Sequence, residues 1–319
     1  MKYKRLYNLD TKNILIIGDI MLDSYLFGQC NRISPEAPVP VVEFSKQENM
    51  LGGAGNVLKN LVSFGARCEI ISVVGDDLPG KIVEEELVKL DIQTQLLFID
   101  KTRKTTVKKR IISSGQQLIR IDKEDRHQIN IEIEESIISF VKDNVFKFDV
   151  IIFSDYLKGV LTEKVCLEII KIAKANNVLT LVDPKGVSCN KYKNIDLIKP
   201  NLKEAEILIG RKIITNDEIK SACFTLQEML GCKYVVITLA EKGVAFLSDV
   251  FDIIPTQSTE VFDVSGAGDT VLASLSICLI QNYSLRDSCD FSNKAASIVV
   301  KKFGSTTTTI NEIDNLKKT

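Results

Sequence analysis

The fold is set by a short apolar run near the start of the chain, Asn13-Ile14-Leu15-Ile16-Ile17-Gly18, which is followed at once by Asp19. Apolar residues on both faces of a run are typical of a parallel strand that helices cover on two sides. Similar runs predict strands at 69–75, 149–154, 179–183, 197–199 and 234–238. Several end in Gly, Asp, Ser or Thr, so polar groups should meet at the carboxyl edge of the sheet, where open α/β sheets bind ligands.

Helical periodicity separates these runs. Apolar residues recur every three or four positions and predict helices at 54–64, 79–90, 131–145, 162–176, 217–230, 267–280 and 285–301. Alternating strands and helices predict an α/β fold, a three-layer α/β/α sandwich built on a parallel sheet.

Two stretches break the alternation. Three of the seven prolines lie within 33–40, and 102–122 reads as consecutive β segments without a helix. Both suit a small β-sheet inserted into the main domain. We expect a single domain over residues 1–319, with a β-sheet lid formed by insertions at approximately 20–48 and 100–122.

The composition excludes several classes of function. Lys and Arg number 41 against 42 Asp and Glu, which argues against a nucleic-acid binder that relies on positive charge. No apolar run reaches the length of a membrane span, and the polar N-terminus lacks the apolar stretch of a signal peptide. The eight cysteines include no C-x-x-C pair, as expected for reduced thiols. We expect a cytoplasmic protein with no membrane or nucleic-acid partner.

Histidine is the most restrictive count, because His127 is the only one in the chain. Multi-histidine zinc sites, H-E-x-x-H proteases and nucleotidyltransferases with an H-x-G-H signature each need at least two. A Ser-His-Asp triad would need a G-x-S-x-G partner, which the sequence lacks. We therefore interpret His127 as a solvated loop residue.

The strongest motif is Asp263-Val264-Ser265-Gly266-Ala267-Gly268-Asp269-Thr270. Glycines that open a helix expose free backbone N–H groups at the positive end of the helix dipole, which can bind an anion. Asp269 can accept a proton from a hydroxyl that attacks a phosphoryl group held there. The alternative is a glycine-rich turn with Asp269 as an acid that favours the helix N-terminus, and spacing alone does not separate the two.

Weaker signals lie at other predicted strand ends. Gly52–Asn56 could bring bare backbone and the Asn56 amide to a polar ligand, or form only a tight loop. Asp19 adds a carboxylate at the same sheet edge. Asn201 and Glu204 could face a metal-bound phosphate, or form only a helix capping box.

Two further segments each have a functional and a purely structural interpretation. Residues 238–243 could line a nucleotide pocket or form a hairpin turn. The basic run at 101–110 could clamp an anionic substrate or be a solvated strand face.

Taken in order, Gly18-Asp19, Gly52–Asn56, Asn201-x-x-Glu204 and Gly266–Asp269 resemble the ribokinase (PfkB-type) sugar kinases over nearly the whole chain. The resemblance implies a ribokinase-like sandwich with a β lid. It also implies a catalytic base at Asp269, an anion hole from the amides of Gly266, Ala267 and Gly268, and sugar contacts at Asp19, Gly52, Gly53 and Asn56.

The same resemblance implies a nucleotide site. Asn201 and Glu204 match residues that organise Mg-ATP, with Glu204 toward the metal, and Thr238 and Gly243 match the nucleotide pocket. Asp263 corresponds to a monovalent-cation loop, although Val264 replaces the more usual threonine, so dependence on potassium stays open.

Within the family, the stretches at 31–42, 116–122, 154–159 and 183–186 resemble a subgroup that acts on D-glycero-D-manno-heptose 7-phosphate. This implies phosphorylation of the anomeric hydroxyl to the β-1,7-bisphosphate, for lipopolysaccharide or other surface glycans. The residues favoured for the 7-phosphate are Lys185 and Arg120, then Arg110 and Lys158. The family further implies a homodimer through the lid, and without an H-x-G-H motif we expect a separate nucleotidyltransferase to complete the pathway.

Alternative functions remain. The same fold could phosphorylate another sugar or sugar phosphate. A non-catalytic sugar or nucleotide sensor could keep all the glycines but would not need Asp269. A dehydrogenase is disfavoured, because no G-x-G-x-x-G opens the first helix.

Overall fold

A computed structural model of the chain describes residues 3–256 and 261–316. The strands in chain order are β1 (Asn13–Gly18), β2 (Ile20–Ile33), β3 (Pro40–Gly53), β4 (Arg67–Val74), β5 (Leu97–Ile99), β6 (Val107–Ser113), β7 (Gln116–Lys123), β8 (Val150–Ser154), β9 (Leu179–Asp183), β10 (Leu197–Ile198), β11 (Tyr234–Thr238), β12 (Val244–Leu247) and β13 (Phe251–Ile254). The α-helices are α1 (Ala54–Ser63), α2 (Leu78–Lys89), α3 (Ile131–Asn144), α4 (Glu163–Ala175), α5 (Leu202–Ile209), α6 (Asn216–Leu230), α7 (Ala267–Ile280), α8 (Leu285–Val299) and α9 (Ile310–Asp314).

The larger sheet has nine strands in the order β13-β12-β11-β10-β9-β8-β1-β4-β5. Pairing is parallel from β5 to β11, and β12 and β13 add an antiparallel hairpin at one edge. The predicted parallel sheet is observed from β5 to β11, and the hairpin at this edge was not predicted. Strands β12 and β13 are four residues each, too short for a period to show in the sequence.

Helices cover both faces of this sheet, as the apolar runs predict. In β1, Ile14 and Ile16 pack into the core beneath α1, α7 and α8, whereas Leu15 and Ile17 pack into the core beneath α3, α4 and α6. Side chains of a strand alternate between faces, so two buried faces require an uninterrupted apolar run. The three-layer α/β/α sandwich is confirmed, and each predicted helix agrees with the structure to within two residues at either end.

A second sheet has the order β3-β2-β6-β7. Strand β2 follows β1 after Asp19, and β3 returns directly into α1, with Ile20 paired to Gly53. The hairpin of β2 and β3 therefore leaves from, and returns to, the carboxyl end of β1. Strands β6 and β7 come from the second irregular stretch of sequence. Within the described residues, no helix is both long and apolar enough to cross a lipid bilayer.

Candidate active site

The amino end of α7 meets the carboxyl ends of β9 and β10. A Cβ added to Gly268 would lie 3.6 Å from Lys199 Nζ and 3.8 Å from an oxygen of Asp183. These two side chains are buried and form an ion pair of 3.1 Å. A Cβ would fit there at ordinary contact distance, so glycine at 268 leaves the charged pair uncovered rather than relieving a clash. The edge of the sheet predicted to bind a ligand is the edge where these groups meet.

Asp269 is buried in the first turn of α7. One carboxylate oxygen accepts a hydrogen bond from Asn56 Nδ2 at 2.9 Å, and the other accepts one from the Tyr156 hydroxyl at 2.7 Å. Burial raises the pKa of Asp269 to about 6, with a further rise from the negative charge of Asp183, while the hydrogen bonds from Asn56 and Tyr156 oppose the rise. A carboxylate with a pKa near the working pH suits a general base.

Gly266 fixes where α7 begins. It is left-handed, with φ of 76°, and a Cβ there would lie 2.3 Å from Asn56 Nδ2. The glycine therefore permits both the turn and the close approach of Asn56. The other amide atom, Asn56 Oδ1, is buried and has no hydrogen-bond partner among the described residues. An incoming hydroxyl can donate to it.

The predicted anion hole lies at the same turn. The first N–H groups of a helix have no partner within the helix, and those of Gly268 and Asp269 belong to this set. The Ala267 N–H donates to the Val264 carbonyl over 3.3 Å, a long hydrogen bond. Whether the Gly266, Ala267 and Gly268 amides hold a phosphoryl group stays a prediction.

Asp19 holds a loop. Its carboxylate accepts hydrogen bonds from the backbone N–H groups of Tyr156 (2.8 Å), Lys158 (3.0 Å) and Val160 (3.2 Å). Burial raises the pKa of Asp19, as does Asp155, and the three N–H donors oppose the rise. The predicted sugar contact at Asp19 stays a prediction, and the observed role of this carboxylate is to position the loop that carries Tyr156.

The two glycines before α1 allow close approaches. A Cβ on Gly52 would lie 2.3 Å from a carboxylate oxygen of Asp23, and Gly53 has φ of 59° and lies against the Asp19 carbonyl. Asp23 is buried and pairs with Arg110 at 2.6 Å. Its place beside Gly52 adds Asp23 to the residues around the site.

The four basic residues predicted for the substrate phosphate all have acidic partners. Lys158 pairs with Glu124 at 2.6 Å, and the exposed Arg120 pairs with Asp122 at 2.9 Å. Arg110 pairs with Asp23, as above, and lies over the Tyr25 ring. Lys185 contacts Glu204 and lies 3.7 Å from Asp183. None of the four is a free cation in this structure.

Asn201 and Glu204 form a complete capping box at the start of α5: Asn201 Oδ1 accepts from the Glu204 N–H at 2.9 Å, and Glu204 Oε2 accepts from the Asn201 N–H at 2.8 Å. The capping interpretation is therefore observed. It leaves the other Glu204 oxygen facing Lys185. The pKa of Lys185 is raised, because the negative charges of Asp183 and Glu204 outweigh the opposing effect of burial.

These carboxylates fit a divalent cation held partly by phosphates. Asp183 Oδ1 is buried without a hydrogen-bond partner among the described residues, and the Lys185 ammonium already lies between Asp183 and Glu204. Mg²⁺ in nucleotide sites is commonly bound by one or two carboxylates together with phosphate oxygens and water. Within the described ranges no cluster of three or more acidic, His or Cys ligands occurs, so phosphates would have to complete the shell.

Thr238 and Gly243 flank a tight turn between β11 and β12. The Thr238 N–H donates to the Pro200 carbonyl at 3.1 Å, and a Cβ on Gly243 (φ 101°) would lie 2.0 Å from the Ile254 carbonyl oxygen. The hairpin-turn interpretation is thus observed, and the nucleotide contact at Thr238 and Gly243 stays a prediction.

Asp263 also ties loops together. Its two oxygens accept hydrogen bonds from the backbone N–H groups of Ser265 at 2.8 Å and Gly304 at 3.0 Å. The carboxylate thereby joins the loop that leads into α7 to the loop that follows α8. Its role at a monovalent-cation site stays a prediction.

Sequence reasoning overlooked Tyr156, Asp183 and Lys199 as site residues. Asp183 is the last residue of β9, Lys199 directly follows β10, and Tyr156 lies two residues beyond β8. Their positions after strand ends were a usable signal, since ligands bind at that edge. Their partners could not be read from the sequence.

Comparison with known proteins agrees with this geometry. A model of the pfkB family of carbohydrate kinases matches residues 11–312. The protein named bifunctional protein HldE of Campylobacter curvus is 43% identical, over 95% of this chain and 64% of its own length. The HldE of Aliarcobacter butzleri is 45% identical, over 94% of this chain and 63% of its own. The chain therefore spans less than two-thirds of these curated relatives.

Solved structures share the fold at low sequence identity. Phosphofructokinase-2 from Escherichia coli, in complex with potassium, has a TM-score of 0.78 at 19% identity and covers 96% of this chain and 97% of its own. Arabidopsis thaliana ribokinase, complexed with ribose and ATP, has a TM-score of 0.73 at 17% identity and covers 96% and 98%. The fold is ribokinase-like, and the chain is a carbohydrate kinase that belongs to the pfkB family.

Proposed function

We propose that this kinase transfers the γ-phosphoryl group of ATP to the anomeric hydroxyl of D-glycero-D-manno-heptose 7-phosphate and releases ADP and the β-1,7-bisphosphate. The observation that carries the kinase chemistry is Asp269, a buried carboxylate with a pKa of about 6 at the open amino end of α7. The choice of heptose is supported by the resemblance of four stretches, among them 154–159 and 183–186, to the heptose-phosphate subgroup.

Asp269 acts first on the acceptor. In the free protein both of its oxygens accept hydrogen bonds, from Asn56 and Tyr156. The sugar hydroxyl replaces one of these donors, and Asp269 takes its proton as the oxygen attacks the phosphoryl group. The vacant Asn56 Oδ1 is placed to accept from a neighbouring sugar hydroxyl. A sensor protein would have no use for a base held in this way.

Positively charged groups at the start of α7 hold the phosphoryl group. The free N–H groups at the start of α7 and the positive end of its dipole face the site. Lys199, buried beside Gly268, adds a fixed positive charge. Donors aimed at charge that develops in the transition state are a main source of catalysis in phosphoryl transfer.

Asp183 and Glu204 would hold Mg²⁺ with the nucleotide phosphates, and Lys185 would then turn from them toward a phosphate oxygen. When bound, the metal screens the negative charge of the phosphates. Asp263 remains the candidate for a potassium site, and Thr238 and Gly243 for the nucleotide pocket.

The second sheet acts as a lid in this proposal, and it joins two copies of the chain. Apolar side chains of β7 and β3 are exposed, among them Ile119, Ile121 and Phe44. Strands β3 and β7 are also the edges of that sheet. A second copy would cover both the apolar groups and the unpaired strand edges.

ATP as donor and the free thiols of the described cysteines suit a cytoplasmic location.

The test is a substrate panel with ATP and magnesium: heptose 7-phosphate, fructose 6-phosphate and ribose, with products identified by mass spectrometry. We expect the highest kcat/KM for heptose 7-phosphate, with phosphate added at the anomeric oxygen. A better rate with fructose 6-phosphate would replace the heptose assignment by the second candidate, a kinase for another sugar phosphate. A better rate with ribose would overturn the assignment of a phosphorylated acceptor.

A further inference from the structure

Lys108 on β6 lies beside the reacting groups. Its ammonium is 5.4 Å from the centre of the Tyr156 ring, and the Tyr156 hydroxyl donates to Asp269. One tyrosine side chain therefore connects this lysine of the second sheet with the proposed base. The loop that carries Tyr156 is held in turn by Asp19, which accepts a hydrogen bond from the Tyr156 backbone N–H.

The strand pairing shows which side chains share the face that Lys108 occupies. Lys108 is paired with Asp23 of β2 and with Asp122 of β7, and Arg110 is paired with Arg120. Directly paired residues lie on the same face of a sheet. The face toward Tyr156 thus carries three cations and two carboxylates, and each carboxylate forms an ion pair with one of the arginines. Lys109, the next residue, is paired with Ser24 and Ile121 and lies on the opposite face.

Lys108 differs in its charge balance from the four cations that the sequence analysis favoured for the substrate phosphate. Arg110, Arg120, Lys158 and Lys185 each form an ion pair. Across residues 3–256 and 261–316, no acidic side chain forms an ion pair with the Lys108 ammonium.

The surroundings of Lys108 favour an anion. Burial lowers the pKa of Lys108, and the positive charges of Arg110, Lys158 and Arg120 lower it further, against the opposing charge of Asp23. A half-buried cation among like charges is unfavourable, and a bound dianion would relieve both the lost solvation and the repulsion.

We propose that Lys108 is the principal ligand for a phosphate group carried by the acceptor sugar, and that the paired Arg110 supports it from the same face. This rests on the proposed function, which places the reacting hydroxyl at Asp269. The acceptor then lies along Tyr156, with its reacting end at the Tyr156 hydroxyl and its phosphate at Lys108. Such an arrangement selects sugars that carry phosphate far from the hydroxyl that reacts.

The experiment compares Lys108→Gln with the matched control Lys109→Gln, using heptose 7-phosphate and the same heptose without phosphate. For Lys108→Gln we expect KM for the phosphorylated acceptor to rise about ten- to hundredfold, the span of one charge-assisted hydrogen bond. KM for ATP and turnover of the unphosphorylated sugar should change less than about twofold, as should all parameters of Lys109→Gln. Lys108→Arg, which keeps the charge, should recover most of the loss.

Each other outcome contradicts the assignment. A rise in KM for ATP would place Lys108 in the donor site, and an unchanged KM for the phosphorylated acceptor would remove it from the acceptor site. An equal rise in KM in Lys108→Gln and Lys109→Gln would mean that loss of either positive charge weakens binding, and that Lys108 has no specific role. Inorganic phosphate should inhibit the wild type in competition with the acceptor sugar, and this gives an independent readout. Lys108→Gln should weaken that inhibition.

Failure of the proposed substrate is separable from failure at Lys108. If the wild-type enzyme prefers another phosphorylated sugar, the same variants are assayed with that sugar, and the Lys108 effect should persist. If the wild-type enzyme prefers an unphosphorylated sugar, the Lys108 assignment is overturned together with the heptose assignment.

Discussion

The two sides of the site are built differently. On the side of the central sheet, Asp269, Asn56, Asp183 and Lys199 are buried and held by hydrogen bonds or a buried ion pair. On the side of the second sheet, Asp23 is buried, but the cations are less covered: Lys108 and Arg110 are partly covered and Arg120 is exposed. Buried and mutually bonded groups are fixed before substrate arrives, as catalysis requires. The exposed, charged face can instead adapt to the substrate, so the chemistry and the recognition of the acceptor are carried by different parts of the fold.

Removing the base should give the largest effect. Asp269→Asn keeps the shape of the side chain but removes the proton acceptor, so kcat should fall by about 10²- to 10⁴-fold. Calorimetry should still detect binding of both substrates, because the helix amides are unchanged. If the acid only favoured the helix dipole, turnover would stay near normal.

Stability provides the folding control for that variant. Burial raises the pKa of Asp269 from the unfolded value of 3.8 to about 6, so the ionised group destabilises the folded protein, increasingly as pH rises through this window. The neutral amide introduced by Asp269→Asn removes that penalty, but its NH2 group cannot accept a hydrogen bond, so one of the bonds from Asn56 and Tyr156 is lost. These effects oppose each other, so thermal unfolding at pH 8 should show a Tm for Asp269→Asn close to that of the wild type, and a large fall would mean that lost activity reflects misfolding.

A small effect is expected at the outer end of the basic face. Arg120 is exposed and already paired with Asp122, so Arg120→Ala should raise KM for the sugar phosphate by less than about fivefold, in keeping with an exposed pair worth less than about 1 kcal/mol. Measuring KM for the sugar phosphate in Arg120→Ala and Lys108→Gln under the same conditions would show which of the two residues contributes more to binding. An Arg120 effect larger than that of Lys108 would move the phosphate site outward, to the position that the sequence alone had favoured.

What the sequence could predict depended on local signals. The apolar run of β1 was predicted to the residue, because burial on both faces leaves an unbroken pattern, and the glycines of 266–268 marked the start of α7 correctly. Charge partners were not predictable. Asp23 and Arg110 are 87 positions apart, so only the folded chain shows that Arg110 is already paired with a carboxylate.

Tyr156 shows the same limit within the site. The stretch 154–159 drew attention through its resemblance to the heptose subgroup, but the hydrogen bond from Tyr156 to Asp269 joins residues 113 positions apart. No local pattern identifies such a pair. Its consequence is chemical, because this hydrogen bond lowers the pKa of the base against the effect of burial.

The most direct test of the central claim, that Asp269 is the base, is the pH dependence of kcat/KM in the wild type and in Tyr156→Phe. The wild type should lose activity on acidification through about pH 6, as Asp269 takes up a proton. Loss of the Tyr156 hydrogen bond should raise the pKa of Asp269 and move this acid limb upward by about one to two pH units. ATP and the sugar phosphate titrate identically in both assays, so they cannot produce the shift. An acid limb at the same pH in both enzymes would contradict the assignment of Asp269 as the base.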